Sequence, residues 1–282
     1  MGSIYKKIVI GLSIALLAII LLWFLIHFRE QQFQVVFFNV GQGDSALIKF
    51  ENGQKMLVDC GPDKKVLAKL GENLPFYDRA IDFLLITHFD LDHYGGCIDV
   101  LKRYKVENII TNGGNKPADK YWQAWDMSRK NEQSNEIIIS QISTWEIADS
   151  KLEFLWPDLD DESNTPSLKK DSNNQSIVFR LVHSSTTILF TGDMEEKVEK
   201  ILVESYCSST CPALESKILK AGHHGSGSSS SEGFLRSVSP QKAIISTGKN
   251  SFGHPSLRVL RKLERQSIEI LRTDELGDII IR

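Results

Sequence analysis

The sequence predicts an α+β domain that follows one apolar N-terminal helix, and three features of the chain support this. Residues 8–26 are uncharged and almost wholly apolar. From residue 33 onward, short runs rich in β-branched and aromatic residues alternate with segments of helical periodicity. Motifs rich in histidine and aspartate recur where the predicted strands end, which is where layered folds of helices and sheets bind their ligands.

The composition is that of an ordinary globular protein. The chain has 282 residues, enough for one large domain or two small ones. Its formal net charge is −3, so no overall basic field indicates a nucleic-acid partner. The last third is more basic and carries Lys217, Lys220, Lys242, Lys249, Arg258, Arg261, Lys262 and Arg265. Taken alone, these charges are typical of a solvated helix face.

The apolar N-terminal segment has about the length that a helix needs to cross a bilayer. A cleaved signal peptide would have a shorter apolar region, followed by small residues at the cleavage site. Residues 23–28 read Trp-Phe-Leu-Ile-His-Phe and are bulky at that place. We therefore expect an uncleaved transmembrane helix over about residues 8–28.

This helix divides the chain into a membrane anchor, residues 1–30, and one large domain, residues 31–282. Lys6 and Lys7 precede the apolar run, and Arg29 follows it. The positive-inside rule then places the N-terminus in the cytoplasm and the large domain outside. We expect a single-pass protein of the cell membrane, with the lipid bilayer as the partner of its first helix.

Strands and helices follow one another through the large domain. The predicted strands are 33–40, 46–50, 55–59, 81–86, 106–111, 137–142, 145–147, 152–156, 177–181, 187–190, 217–220, 243–246, 268–271 and 278–281. The predicted helices are 64–70, a segment from Gly96, 121–130, 195–204, 231–238, and one that reaches about residue 265 with Pro255 in its first turn. Residues 157–176 are polar, acidic and without periodicity, so they predict a long loop.

The loop after the strand 81–86 carries four potential metal ligands within six residues. These are His88, Asp90, Asp92 and His93, and Gly95-Gly96 follow shortly after them. A single His-x-Asp pair on a surface loop is usually only solvated. Four polar side chains packed this closely are costly unless something binds them, so the spacing indicates a metal site. Two metal ions need more ligands than one loop supplies, so further ligands are expected downstream.

Further polar residues end other predicted strands. The motif Thr-Gly-Asp, which ends at Asp193, follows the strand 187–190. His223 and His224 follow the strand 217–220. Asp59 ends the third strand, where it caps a turn or braces the metal loop from behind.

The four cysteines are too few for a disulfide framework. Cys60 and Cys97 lie in apolar contexts and are expected to be small buried thiols. Cys207 and Cys211 flank a polar tripeptide and could close a small disulfide loop outside the cell.

Four motifs together resemble a metallo-β-lactamase-fold hydrolase. They are the His-x-Asp-x-Asp-His loop, Thr-Gly-Asp at 191–193, Gly-His-His-Gly-Ser at 222–226 and Gly-His-Pro at 253–255. More narrowly, the chain resembles the C-terminal hydrolase domain of ComEC-type competence (DNA uptake) proteins. Residues 39–44, 58–61, 155–157 and 173–176 fit that pattern too, so the resemblance covers the chain from about residue 33 to its end.

Three departures from the family pattern limit what the resemblance implies. ComEC-type proteins usually carry this domain behind a many-helix channel, whereas one spanning helix is predicted here, so channel function is not carried over. Asp90 stands where the superfamily usually has a second histidine. The third motif reads Asn-Asn-Gln-Ser at 173–176, where many members have a histidine ligand, and His183 lies inside a predicted strand as a structural residue.

The resemblance implies a four-layer αββα sandwich with two divalent metal ions, Zn²⁺ or Mn²⁺, in its cleft. His88 and Asp90 would hold the first ion, and Asp193 would bridge the two. The ligands implied for the second ion are Asp92, His93 and His224, with His223 as the neighbour or replacement of His224.

The resemblance also implies roles around these ions. The catalytic residues would be Asp92, Asp193 and His254. The substrate would contact His254, Asn174, Ser226 and Lys249. Asp59 and Asp44 would support the metal ligands from behind.

The function implied is that of a membrane-anchored phosphodiesterase, foremost a nuclease acting on incoming DNA. One alternative substrate is a cell-wall phosphodiester, as for a phosphocholine esterase. Another alternative is a non-catalytic DNA-binding or assembly partner of a competence channel protein, and the intact Asp92, His93 and Asp193 argue against it. The expected partners are therefore DNA or another phosphodiester, and a channel protein. If the substrate is DNA, the candidate contacts near the site are Lys217, Lys220, Lys242 and Lys249, with Arg258 and Arg261 extending the path.

Overall fold

The computed structural model describes residues 2–30, 32–158 and 171–282, with side chains of residues 23–30 left aside. Its first element is the helix α1, Gly2–Glu30. Residues Gly2–Leu22 have a mean hydropathy of 2.2, and none of this segment is buried against the protein. By length and composition this segment can cross a membrane, and a signal sequence at this place would share those properties.

The large domain contains two seven-stranded sheets. The first has the order β14-β1-β2-β3-β4-β5-β6. Its strands are β1 Gln34–Phe37, β2 Ala46–Lys49, β3 Lys55–Val58, β4 Ala80–Leu85, β5 Lys105–Thr111, β6 Asn135–Ile138 and β14 Ile279–Ile281. β14, β1, β2 and β3 pair antiparallel, whereas β3 to β6 pair parallel.

The second sheet has the order β13-β12-β11-β10-β9-β8-β7. Its strands are β7 Ser143–Ile147, β8 Ser150–Trp156, β9 Val178–His183, β10 Thr186–Phe190, β11 Ile218–Lys220, β12 Lys242–Ile245 and β13 Glu269–Arg272. β7 to β10 pair antiparallel, and β10 to β13 pair parallel.

Helices cover the outer face of each sheet. The remaining helices are α2 Lys65–Asn73, α3 Leu91–Tyr94, α4 Cys97–Leu101, α5 Lys120–Glu132, α6 Glu196–Tyr206, α7 Glu232–Val238, α8 Leu257–Arg265 and α9 Thr273–Leu276. Side-chain alternation explains the layers, because Val35 and Phe37 of β1 join the core between the sheets while Val36 and Phe38 join the core under the helices. A third core lies under α6, α7 and α8. The expected four-layer αββα architecture is confirmed.

Two local features of the structure differ from those predicted from the sequence. The last long helix begins at Leu257, because Ser256 caps it and accepts a hydrogen bond from the Val259 amide at 3.3 Å. Pro255 therefore precedes the helix instead of occupying its first turn. Of the long loop expected at 157–176, residues 173–175 form a 3₁₀ turn, and residues 159–170 lie outside the described part of the chain.

The expectation that Cys60 and Cys97 are free buried thiols is wrong. They form a disulfide that ties the residues after β3 to the start of α4. Both are fully buried and their Cα atoms lie 5.2 Å apart, a usual spacing for a disulfide. Cys207 and Cys211 form the second disulfide, as the sequence allowed.

Candidate metal centre

The histidines and aspartates converge at one edge of the two sheets. His88 and Asp59 follow the parallel strands β4 and β3 of the first sheet. Asp193 and His224 follow the parallel strands β10 and β11 of the second sheet. Because parallel neighbours end at the same edge, each sheet delivers its polar residues to one place, and the cleft between the sheets joins them.

The two histidines of the metal loop are fully buried and point one ring nitrogen inward. Nδ1 of His88 lies 3.2 Å from the hydroxyls of Thr87 and Ser176. Nδ1 of His93 lies 2.8 Å from Oδ2 of Asp59. These contacts engage the outer nitrogens, and the buried Nε2 atoms of both rings have no hydrogen-bond partner.

Asp59 holds the metal loop from behind. Its carboxylate accepts hydrogen bonds from the Thr87 amide at 2.8 Å and the Thr87 hydroxyl at 2.7 Å, and it also contacts His93. Such a carboxylate fixes the orientation of a metal-binding imidazole.

Asp193 lies among three histidines. Its Oδ1 is 3.3 Å from Nε2 of His93, and its Oδ2 is 3.4 Å from Nε2 of His224. Nε2 of His223 lies farther away, at 4.0 Å from Oδ2. Asp92 completes the group, since its Oδ2 is 3.1 Å from Nε2 of His224. Ligand atoms of Asp44, His93, Asp193 and His224 thus lie within 4.8 Å of one another, and Asp92 joins this cluster through His224.

A left-handed turn separates the directions of the two adjacent histidines. His223 and His224 have φ angles of 48° and 52°, which non-glycine residues rarely adopt. His224 turns inward, and its Nδ1 lies 2.9 Å from the Ser246 carbonyl. His223 turns toward Glu195, whose Oε1 lies 3.3 Å from its Nδ1. His224 is therefore the inner residue of the pair.

Asp44 supports His224 from the outer side of its ring. Its Oδ1 is 3.2 Å from Nδ1 of His224, and its Oδ2 is 2.7 Å from the ammonium of Lys220. This contact with Nδ1 can orient the ring, and the buried Oδ1 of Asp44 has no hydrogen-bond partner. Lys220 is only 2 % exposed, so its expected role in contacting DNA is wrong. The sequence signal that could have shown this is the place of Lys220 in the apolar run at residues 218–221.

Asp90 is shared between the metal loop and a lysine that the sequence did not single out. One oxygen lies 3.7 Å from Nε2 of His88, and the other forms an ion pair with Lys116. Partial burial opposes ionisation, but His88 and Lys116 together hold the pKa of this carboxyl well below its usual range.

Ser176 is the residue of the third motif that reaches the centre. Its hydroxyl contacts His88 and accepts a hydrogen bond from the Asp193 amide at 3.0 Å. Asn174, expected near the first ion, instead donates to Asp171 at 2.6 Å and accepts from the Glu195 amide at 3.0 Å. Its amide thus fixes the loop that carries Ser176.

His254 lies on the open side of the centre. Its ring centroid is 5.3 Å from that of His223, and its Nδ1 has no hydrogen-bond partner. The side chain of Asn250 bonds to both the amide and the carbonyl of His254, at 3.1 and 2.7 Å, and so fixes the loop 248–254. The same loop presents Phe252, which is 72 % exposed, and Lys249.

The other residues expected to contact the substrate are Ser226, near the cluster, and two lysines, far from it. Ser226 follows the histidine pair and its hydroxyl contacts that of Ser228 at 3.0 Å. Lys217 and Lys242 lie at the starts of adjacent parallel strands, the ends opposite the metal centre. The expectation that these two lysines lie near the site is wrong, because parallel strands bring only their carboxyl ends to it.

The pKa shifts in this cluster are those expected of buried carboxylates that lack a bound cation. Burial opposes ionisation, but the imidazoles of His224 and His93 hold the pKa of Asp193 well below its usual range. In turn, Asp193 and Asp44 outweigh the burial of His224 and raise its pKa to about 10. Asp193 and Asp59 likewise raise the pKa of His93 well above its usual value. Protons on the two imidazoles therefore neutralise the carboxylates when no metal ion is bound.

The donor set fits a divalent ion. Ligand atoms about 2.0–2.2 Å from a tetrahedral ion lie roughly 3.3–3.6 Å from one another, close to the separations among these side chains. Buried donor atoms without a hydrogen-bond partner face the cleft: Nε2 of His88, Nε2 of His93 and Oδ1 of Asp193. Buried polar atoms are rarely left unpaired, so these three indicate a ligand that satisfies them.

Comparison with known proteins agrees with this geometry. The model of the metallo-beta-lactamase superfamily matches residues 38–249. The ComE operon protein 3 of Bacillus subtilis is 30% identical over 88% of this chain and 33% of its own length. The competence protein ComA of Neisseria gonorrhoeae is 31% identical over 95% of this chain and 35% of its own length. The chain thus spans about a third of the length of these relatives.

Solved structures share the fold at low sequence identity. A metallo hydrolase from the archaeon Ignicoccus hospitalis has a TM-score of 0.54 at 11% identity, over 88% of this chain and 99% of its own. Together with the superfamily match, the shared architecture and the Asp/His cluster lead to one conclusion. The chain belongs to the metallo-beta-lactamase superfamily, as a metallo-hydrolase related to competence proteins.

Proposed function

We propose that the chain is a membrane-anchored phosphodiesterase that uses two divalent metal ions to cleave DNA during DNA uptake. The observation that carries the proposal is the buried cluster of His88, His93, Asp193 and His224. Nε2 of His88, Nε2 of His93 and Oδ1 of Asp193 have no hydrogen-bond partner, and Nε2 of His224 contacts Asp92 and Asp193. The names of the relatives supply the competence context.

The ligands would divide into two sets. His88 and Asp90 would hold one ion, and Asp92, His93 and His224 would hold the other, with Asp193 between them. Bound divalent ions supply an acidified water and neutralise the charge of a phosphodiester. Asp90 makes the first position harder than an imidazole would, so Mn²⁺ would compete with Zn²⁺ there more strongly than at an all-histidine position.

His254 would act on the substrate side. Partial burial and the nearby His223 and His224 lower its pKa, so the ring is neutral at pH 7. A neutral imidazole can donate a hydrogen bond from one nitrogen and accept one at the other. Its buried Nδ1 has no hydrogen-bond partner, and a phosphate oxygen or a leaving oxygen could pair with this ring.

Three features of the rim favour a polynucleotide. Lys116 pairs with Asp90 of the metal loop, and Lys249 is exposed on the loop that carries His254; cations near the cluster suit a chain of phosphates. Phe252 is exposed on a loop that Asn250 fixes, and an exposed ring beside a phosphate site can stack on a base. Arg258 and Arg261 on α8 extend the positive charge.

The location outside the cytoplasm is supported by the two disulfides, which persist in oxidising compartments. Lys6 and Lys7 ahead of the apolar segment favour the same orientation. A reporter enzyme that is active only outside the cytoplasm should be active when it is fused after Arg282, and one that is active only in the cytoplasm should be inactive there. Cytoplasmic reporter activity would contradict this orientation.

The test of function uses the purified full chain in detergent micelles, loaded with Mn²⁺ or Zn²⁺. Cleavage of labelled single- and double-stranded DNA is measured beside hydrolysis of bis-p-nitrophenyl phosphate. We expect both activities, and both should disappear with EDTA. Hydrolysis of the small ester without DNA cleavage would favour a cell-wall phosphodiester, and loss of both activities in the metal-loaded protein would favour a non-catalytic role.

A further inference from the structure

A polar cavity of about 290 Å³ opens beside the metal loop. It is lined by Phe89, Asn112, Gly113, Gly114, Asn115, Lys116, Ser172 and Gln175. We call it the Lys116 pocket. Its lining comes from the metal loop, from the segment after β5 and from the 3₁₀ turn before β9, so it adjoins the centre without containing the residues expected to bind metal.

The walls of the Lys116 pocket are fixed by hydrogen bonds and packing. Asn112 is 8 % exposed, donates to the Gln175 carbonyl at 2.9 Å and accepts from the Gly114 amide at 2.9 Å. A Cβ atom at Gly114 would lie only 3.2 Å from the Phe89 ring and 3.0 Å from the Asn112 side chain. Phe89 packs edge-on against Trp122, with centroids 4.6 Å apart. The cavity is therefore preformed, as binding sites usually are.

Lys116 connects the pocket with the metal centre. Its side chain is 38% exposed, and its ammonium forms an ion pair with one oxygen of Asp90. The other oxygen of Asp90 lies toward Nε2 of His88. A cation held by His88 and Asp90 would draw on the same carboxylate, leaving the charge of Lys116 less neutralised and available to an anion in the pocket.

The lining selects the chemistry of the ligand. Lys116 supplies the one cationic group of this lining, and the asparagine and backbone groups supply neutral polar contacts. Lysine is a common phosphate-binding residue, and a charge-assisted hydrogen bond is about twice as strong as a neutral one. A cavity of this volume and polarity suits a phosphate with part of its sugar better than an apolar group.

We propose that the Lys116 pocket binds the phosphate next to the one being cleaved, with Lys116 as its cation. The inference rests on the proposed phosphodiesterase function, because it places the reacting phosphate at the metal centre. It makes Lys116 a determinant of preference for polymeric phosphodiesters over isolated ones.

The test compares ligands that carry one phosphate or two. Binding of thymidine 3′,5′-bisphosphate, thymidine 5′-monophosphate and thymidine 3′-monophosphate is measured by calorimetry on the full, Mn²⁺-loaded chain in detergent. We expect the bisphosphate to bind about tenfold more tightly than the better monophosphate. Any change at the metal centre affects all three ligands. The ratio of the Kd of the better monophosphate to the Kd of the bisphosphate therefore isolates the contribution of the second phosphate.

Variants then assign the effect to Lys116. In Lys116→Met the ratio should fall to about one, and Lys116→Arg should keep most of it, because guanidinium also binds phosphate. Lys120→Met, an exposed lysine at the start of α5, should keep the wild-type ratio. Metal content measured by elemental analysis shows whether each variant retains its centre.

The possible results separate the two proposals. A ratio near one in the wild type, or an unchanged ratio in Lys116→Met, would overturn the role of the pocket even if DNA is cleaved. A ratio that depends on Lys116 in a protein that cleaves no DNA would support the pocket and refute only the nuclease assignment.

Discussion

Nε2 of His93 lies 3.3 Å from Oδ1 of Asp193, and neither of these buried atoms has a hydrogen-bond partner. Two atoms from opposite sheets meet at the separation expected of two ligands of one ion. Asp193→Ala removes the carboxylate that lies between both proposed sets of ligands.

Asp193→Ala should therefore lower metal content by about one equivalent per chain or more. Activity should fall by more than the roughly 10–100-fold typical of losing an outer hydrogen-bond partner. Elemental analysis and hydrolysis of bis-p-nitrophenyl phosphate measure the two effects. Asp126→Ala, on the outer helix α5, is the control and should change neither. Full metal content in Asp193→Ala would show that this carboxylate is not a ligand.

His254→Ala should separate metal binding from turnover. The side chain lies beyond His223 and contacts no other proposed ligand as closely, so metal content should stay at the wild-type level. Turnover should fall by roughly 10²–10⁴-fold if the ring transfers a proton or holds a substrate oxygen. Loss of a whole equivalent of metal in this variant would instead place His254 among the ligands.

Lys220→Met should destabilise the domain through the buried Asp44. Removing one partner of a buried ion pair leaves an uncompensated charge and costs about 3–5 kcal/mol. Urea unfolding of the metal-free chain measures this cost without a contribution from bound metal. The double variant Asp44→Asn, Lys220→Met should recover much of the loss, because neither member of the Asp44–Lys220 pair is then left charged. Equal destabilisation in single and double variants would argue against the pairing.

Metal binding should release protons at pH 7.5. In the metal-free protein the pKa of His224 is about 10 and that of His93 is well above its usual value, so both rings are protonated. Each must lose a proton to bind an ion, so about two protons should leave, and metal affinity should rise with pH toward 10. Calorimetric titration in buffers of different ionisation enthalpy counts them. A binding enthalpy independent of the buffer would contradict this.

Cleavage of long single-stranded DNA should weaken with added salt more than cleavage of the small ester. Lys249→Ala should reduce the salt slope by roughly 0.7, the value for one phosphate contact on a single strand. The control is Lys242→Ala, because Lys242 lies at the strand end opposite the centre and pairs with Glu269. Equal slopes for both substrates would show that the rim cations do not contact DNA.

Local sequence patterns predict the parts of this protein that are themselves local. The metal loop is visible because His88 to His93 lie within six residues after an apolar strand. Strand positions follow from alternation, although β6 lies at Asn135–Ile138 instead of 137–142. The packing of two sheets against each other was predicted from the resemblance to a known family, because periodicity alone does not show which strands share a sheet.

Features that depend on distant partners were missed. Lys116 and Asp90 lie in separate loops, and nothing near Lys116 in the sequence indicates that it reaches the metal loop. Cys60 and Cys97 each look like a small buried residue, since only the fold brings them together. Ser176 was hidden because hydroxyls are common in loops. Tertiary contacts, which local propensity cannot encode, decide all three.

Strand β1 pairs with β14, with Val35 opposite Ile281, so the first strand of the sheet to be synthesised pairs with the last one. The first strand made after α1 keeps an unpaired edge until residues 279–281 are available to cover it. The sheet that carries the metal loop is thus begun first and closed last. Contacts so far apart in sequence form slowly, so the unfinished domain should depend on protection from edge-to-edge pairing until β14 is in place.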